Sequence, residues 1–166
     1  MRAFINSLIT ILLIGVASLL ACQRPNATKE LKAVADAYLK IWNTGDVEML
    51  GAVADSNIVF HENARPIVGL DSLKKYIAAL RTIYPDFTLV VNEEIYVSDK
   101  AAVRWTVTAT PTDSGIYPGT GKQVRVIGIS FLHFAYGKVK EEWAMWDNQS
   151  WLEQLGFSFV PAESKK

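Results

Sequence analysis

The chain has 166 residues, one domain's worth; half are hydrophobic, 20% charged and 11% aromatic, a composition that fills a core and excludes a disordered chain. Lysine plus arginine balances aspartate plus glutamate at 17 each, with no basic block, so nucleic acid and acidic polymers are not the expected partners. Two histidines and one cysteine offer no metal-ligand spacing, and there is no glycine-rich nucleotide loop or Gly-x-Ser-x-Gly elbow. No metal and no cofactor is therefore expected.

Residues 1–21 read as an export signal. Met1-Arg2 supplies a short positive end, and Leu8 to Ala21 is an apolar run broken mildly by Thr10 and Ser18. That run is shorter than the roughly 20 residues that cross a bilayer, although a retained anchor helix is the alternative. Leu19-Leu20-Ala21-Cys22 resembles the lipobox of bacterial lipoproteins. The resemblance implies cleavage before Cys22 and acyl chains on it, which anchor stably because each buried methylene contributes about 0.8 kcal/mol. Gln23 follows where an aspartate would retain the protein at the inner membrane, which implies the outer membrane in a host with two. Losing residues 1–21 removes Arg2 alone among the charged groups and leaves 16 basic against 17 acidic residues.

Residues 22–27 form a linker, and the folded domain is expected over 28–160. A helix is predicted from Thr28, with Leu31, Val34, Ala35, Tyr38, Leu39 and Trp42 at helical spacing. Asn43-Thr44-Gly45-Asp46 breaks it, and a second short helix runs through Val47, Leu50 and Val53. Asn57 to His61 is a short strand and Arg65 to Gly69 a loop. A third helix over Leu70 to Tyr84 carries Leu73, Tyr76, Ile77 and Leu80 on one face. Strands follow at Phe87–Val97 and Ala101–Thr110, the latter alternating cleanly between apolar and polar residues. After a loop from Pro111 to Lys122, Val124–Phe134 and Lys138–Trp146 make a hairpin about Tyr136-Gly137. A last helical turn runs through Trp151 and Leu155 to Gly156, and residues 161–166 read as a flexible tail. Helices first and antiparallel strands after them define an α+β fold, expected as a strongly curved, mostly antiparallel sheet wrapped over about three helices. Such a cone has an open mouth suited to a small, mostly apolar ligand.

Seven fragments carry a further resemblance: Trp42-Asn43-Thr44-Gly45-Asp46, Pro85-Asp86-Phe87, Val103-Arg104-Trp105, Gly137-Lys138-Val139, Glu141-Glu142-Trp143, Trp146-Asp147 and Gln154-Leu155-Gly156. In this order and spacing, residues 28–157 resemble the SnoaL-like polyketide cyclases of the nuclear-transport-factor-2-like superfamily. The resemblance implies a cone-shaped fold, often dimeric through its sheet. It also implies cofactor-free acid–base chemistry on a carbonyl compound, by a carboxyl group whose pKa an apolar pocket lifts. Aligned on Gly137-Lys138 and Gln154-Leu155-Gly156, the family's catalytic aspartate falls on Ala144, its neighbouring histidine on Glu142, and a first-strand asparagine near His61. Alanine cannot transfer a proton.

The candidate acid–base residues are Glu142, Asp147 and His61. Counting from a two-residue turn, Glu142 lies opposite Phe131 and Ala144 opposite Ile129, an apolar inward face. A bulge would change that count, and Glu142 could instead be solvated or paired with Arg104. Asp147 either faces the cavity mouth or caps the helix that starts at Asn148. His61 either assists a carboxylate or is an ordinary strand-end histidine, and His133, read opposite Lys140, is expected to be structural. Trp105, Trp143, Tyr76, Tyr84 and Asn43 are candidate ligand-binding residues, the aromatics serving equally well as core. The expected functions are an exported, lipid-anchored binder of a small hydrophobic molecule, or a cofactor-free cyclase or isomerase; a homodimer fits either.

Overall fold

In the computed structural model the described residues are 25–62, 65–112 and 119–158, with side chains from residue 28 onward. The signal, Cys22 and the tail lie outside them. The element order is α1 (Pro25–Thr44), a 3-10 turn (Val47–Met49), α2 (Leu50–Val53), β1 (Ala54–Glu62), β2 (Arg65–Val68), α3 (Leu70–Ile83), β3 (Thr88–Val97), β4 (Lys100–Ala109), β5 (Val124–Ala135), β6 (Lys138–Trp146) and α4 (Asn148–Gln154).

The strands form one curved, unclosed sheet in the order β2-β1-β6-β5-β4-β3. Every neighbouring pair is antiparallel except β1 and β6, which run parallel. The helices cover the concave face. Ala35, Tyr38, Leu39 and Trp42 of α1 and Leu73 and Ile77 of α3 recur at helical spacing and are buried against the sheet. Each large apolar side chain so buried contributes about 1.5–3 kcal/mol. On the sheet, Ala101, Val103, Trp105, Val107 and Ala109 of β4 and Val124, Val126, Leu132 and Phe134 of β5 supply the facing layer. Helix α1 ends where Gly45, at φ +71°, turns back to donate its N–H to the Ile41 carbonyl at 2.8 Å, a left-handed cap that glycine adopts without steric cost.

Besides a longer β1, Ala54–Glu62 in place of Asn57–His61, the structure departs from the sequence reading in three places. Helix α1 starts at Pro25, whose missing N–H is harmless in a first turn. Arg65–Val68 pairs with β1 as an edge strand, with Pro66 opposite His61, where a loop was expected; an edge strand tolerates a residue without a backbone donor. The third departure is the register of β5 against β6. Tyr136 (φ 52°) and Gly137 (φ 72°) close the hairpin as expected, but the pairing slips between His133 and Phe134. Phe134 faces Val139 and His133 faces Glu141, so Lys140 is the extra residue of a bulge. Glu142 consequently lies opposite Leu132 and Ala144 opposite Ser130, in place of Phe131 and Ile129.

Candidate functional site

Between α1, α3, α4 and the concave face of the sheet lies a chamber of about 400 Å³. Its walls are mainly rings. Trp42, Phe60 and Tyr76 form a contiguous group with centroids 5.2–6.1 Å apart, and Tyr84 meets Trp151 edge-to-face at 5.3 Å. Trp105 and Ala144 come from the sheet. Of the candidate ligand-binding residues, Tyr76, Tyr84 and Trp105 line this chamber.

Glu142 is drawn inward but does not open onto the chamber. It is 2% exposed. Tyr38 donates its hydroxyl to Glu142 Oε2 at 2.6 Å, and Ser130 donates to Oε1 at 2.5 Å. The Trp105 indole N–H donates in turn to Ser130 Oγ at 2.9 Å. Burial pushes the Glu142 carboxyl above its ordinary range, and the hydrogen bonds from Ser130 and Tyr38 pull against that rise. Burial likewise raises the Tyr38 phenol well above its ordinary value, with the Glu142 charge adding to it. Arg104 makes no pair with Glu142; it donates to Glu93 at 3.2 Å.

Four candidates, His61, Trp143, Asp147 and Asn43, lie elsewhere. Inward-facing Phe60 and Glu62 flank His61 on β1, so strand alternation turns His61 out onto the convex face. There it stacks on Trp143 at 3.7 Å, nearly parallel, and its Nε2 sits 2.8 Å from Glu141 Oε1. Trp143, 47% exposed, shares that outer face. His133 also lies there, opposite Glu141 and not Lys140, with Nδ1 3.1 Å from Glu141 Oε2. Asp147 is an exposed N-cap that accepts from the Ser150 N–H at 2.9 Å, so the capping alternative describes it. Asn43 clamps α1 to β3: its amide donates to the Leu89 carbonyl at 2.8 Å and accepts from the Leu89 N–H at 2.6 Å.

The carboxylate in the chamber wall is Glu62, which the sequence reading missed by ending the first strand at His61. Burial raises its carboxyl above the ordinary range, and a hydrogen bond from Tyr76 opposes the rise. The signal was present: Ile58, Phe60 and Glu62 are two residues apart, so one more residue of strand puts Glu62 on the apolar face. Asn148 adds an amide to the lining. Among the described residues no group of three histidine, cysteine or acidic side chains is arranged to hold a metal ion, and no helix is long and apolar enough to cross a membrane.

An open, curved sheet closing over helices around an aromatic chamber defines the class of cone-shaped α+β ligand-cavity domains. Within that class the chain belongs to the SnoaL-like polyketide cyclase family, whose model matches residues 32–155. TsrD from Streptomyces laurentii superposes with a TM-score of 0.70 at 19% identity, over 77% of this chain and 96% of that one. AclR from Streptomyces galilaeus gives 0.69 at 27% identity, over 81% and 91%. A SnoaL-like polyketide cyclase from Agrobacterium tumefaciens gives 0.66 at 24%, over 76% and 98%. No functionally curated protein sequence matches the chain.

Proposed function

We propose that this chain is an exported, lipid-anchored protein of the cell envelope whose chamber binds a small, flat, mostly apolar molecule. The observation that carries the reading is the chamber itself, about 400 Å³ walled by aromatic rings, a size and lining that suit a small ligand. Ala144 in its wall supports binding over the family's chemistry, because the resemblance aligns that position with the proton-transferring aspartate. Export and anchoring rest on the Leu19-Leu20-Ala21-Cys22 sequence, and Gln23 directs the anchor to an outer membrane where there are two. A homodimer through the convex face is part of the same reading, supported by the exposed Ile127, Ile129, Phe131, Trp143 and Met145.

Two variants test it. Ala144→Leu narrows the chamber, and native mass spectrometry should then find no apolar molecule on a protein that carries one in the wild type. A wild type purified without any bound molecule, and binding none from a panel of hydrophobic compounds, would end the binding proposal. Cys22→Ala should move the protein from the membrane to the soluble fraction; retention in the membrane would remove the lipid anchor.

A second reading, a cofactor-free cyclase or isomerase, is favoured by the raised Glu62 carboxyl in an apolar wall. It requires exchange of the acidic protons of a bound ketone that stops in Glu62→Gln.

A further inference from the structure

Among the described residues, those lining the chamber include one acid, Glu62, and no lysine, arginine or histidine. Glu62 follows Phe60 on the inward face of β1, and the Tyr76 phenol from α3 stands beside its carboxyl. Trp42, Phe60 and Tyr76 pack as one group of rings around this end of the space. Behind the wall a second carboxyl, that of Glu142, is close enough for Glu62 to raise its pKa. The chamber therefore combines aromatic rings, whose faces carry negative potential, with carboxyl groups and, among the described residues, no resident cation. Ring faces and a desolvated carboxylate are the chemistry that recognises organic ammonium groups.

We propose that the chamber takes a hydrophobic organic cation, its apolar body among the rings and its charged nitrogen against Glu62. The assignment names the ligand class for the chamber reading given above and rests on it. An anion would meet two carboxyl groups at close range. A neutral hydrophobe would fill the rings but leave the Glu62 carboxylate with only the neutral Tyr76 phenol to offset its desolvation. A cation meets both features at once.

The sign of the pH dependence follows. The groups near Glu62 are Tyr76 from α3, with Tyr84 beyond it, Glu142 from β6, and Arg65, opposite it in register on β2 and exposed. Burial holds Glu62 toward its neutral form, which does not attract a cation. Cation affinity should be full above the raised Glu62 pKa and fall as pH drops through it. A quaternary ammonium has no proton of its own to lose, so its profile reports the protein's carboxyl alone.

The test uses the full-length protein and two probes of nearly equal shape, phenyltrimethylammonium and tert-butylbenzene, titrated against tryptophan fluorescence. At pH 8 the cation should bind at least as tightly as the hydrocarbon, although it is far better hydrated. Its advantage should shrink about tenfold toward pH 4.5. Glu62→Gln should remove the advantage about tenfold and leave tert-butylbenzene binding intact. Should that variant not fold, the wild-type pH profile alone decides. Tight tert-butylbenzene binding with a weak, pH-independent cation overturns the cation assignment and leaves the chamber reading standing. Binding of neither probe overturns both.

Discussion

Glu142 shows how much one buried carboxyl can govern. It accepts from Tyr38 and Ser130, and Ser130 is itself held by Trp105, so one side chain satisfies groups from α1, β4 and β5. Glu142→Ala would strand two buried hydroxyl donors and open a void, costing about 3–5 kcal/mol in urea denaturation. Glu142→Gln keeps an acceptor and a similar volume and should cost less than about 2 kcal/mol. The pH dependence is fixed by direction: the folded carboxyl has a raised pKa. Its contribution is complete below the unfolded value and is lost as pH rises through the folded one. Stability should therefore decline on the alkaline side of the carboxylate range, and Glu142→Gln should flatten that decline. The inward turn of Glu142 was among the readings of the sequence, but its sealing by Tyr38 was not, because α1 and β6 are 104 residues apart in that bond. Glu62 was one residue beyond the predicted strand end, and His61 was placed in the pocket by resemblance where alternation puts it outside.

Among the elements, the fragments that made the fold legible turn out to be clamps. Asn43 ties α1 to β3 through both hydrogen bonds of Leu89. Asp86 accepts from the Thr110 N–H and hydroxyl, each at 2.7 Å, and so fixes the α3–β3 turn to the end of β4. Gln154 pairs with the backbone of Arg125 in both directions at 2.9 Å and seats α4 on β5. Such residues are dictated by the architecture, whatever the chamber holds, which is why sequence reveals the fold more readily than the site. Strand β5 carries a comparable constraint in Gly128, opposite Trp105. A Cβ there would meet the indole ring at 2.2 Å. Gly128→Ala should push the ring from its seat, weaken its bond to Ser130 and cost about 1–3 kcal/mol, seen as a lower Tm with altered tryptophan fluorescence.

At the scale of the whole molecule the sheet has two opposed characters, a concave side around the chamber and a convex side with exposed Ile129, Phe131 and Trp143. The proposed pairing of two copies uses the convex side and leaves the chamber free. Phe131→Glu should convert a sedimenting dimer to a monomer without loss of chamber binding; a wild type that is monomeric at all accessible concentrations would remove the pairing. The sides of β6 follow from Lys140 being taken up as a bulge and not as a paired residue. Adjacent glutamates there have opposite fates, Glu142 sealed inside and Glu141 outside between two histidines. Deleting Lys140 would remove the bulge and leave a regular ladder, with His133 still opposite Glu141 and Leu132 still opposite Glu142, so that each side chain keeps its face. The bulge is thus the one point of slack in the hairpin: a codon lost at Lys140 would straighten the ladder and leave the molecule's lining and coat where they are.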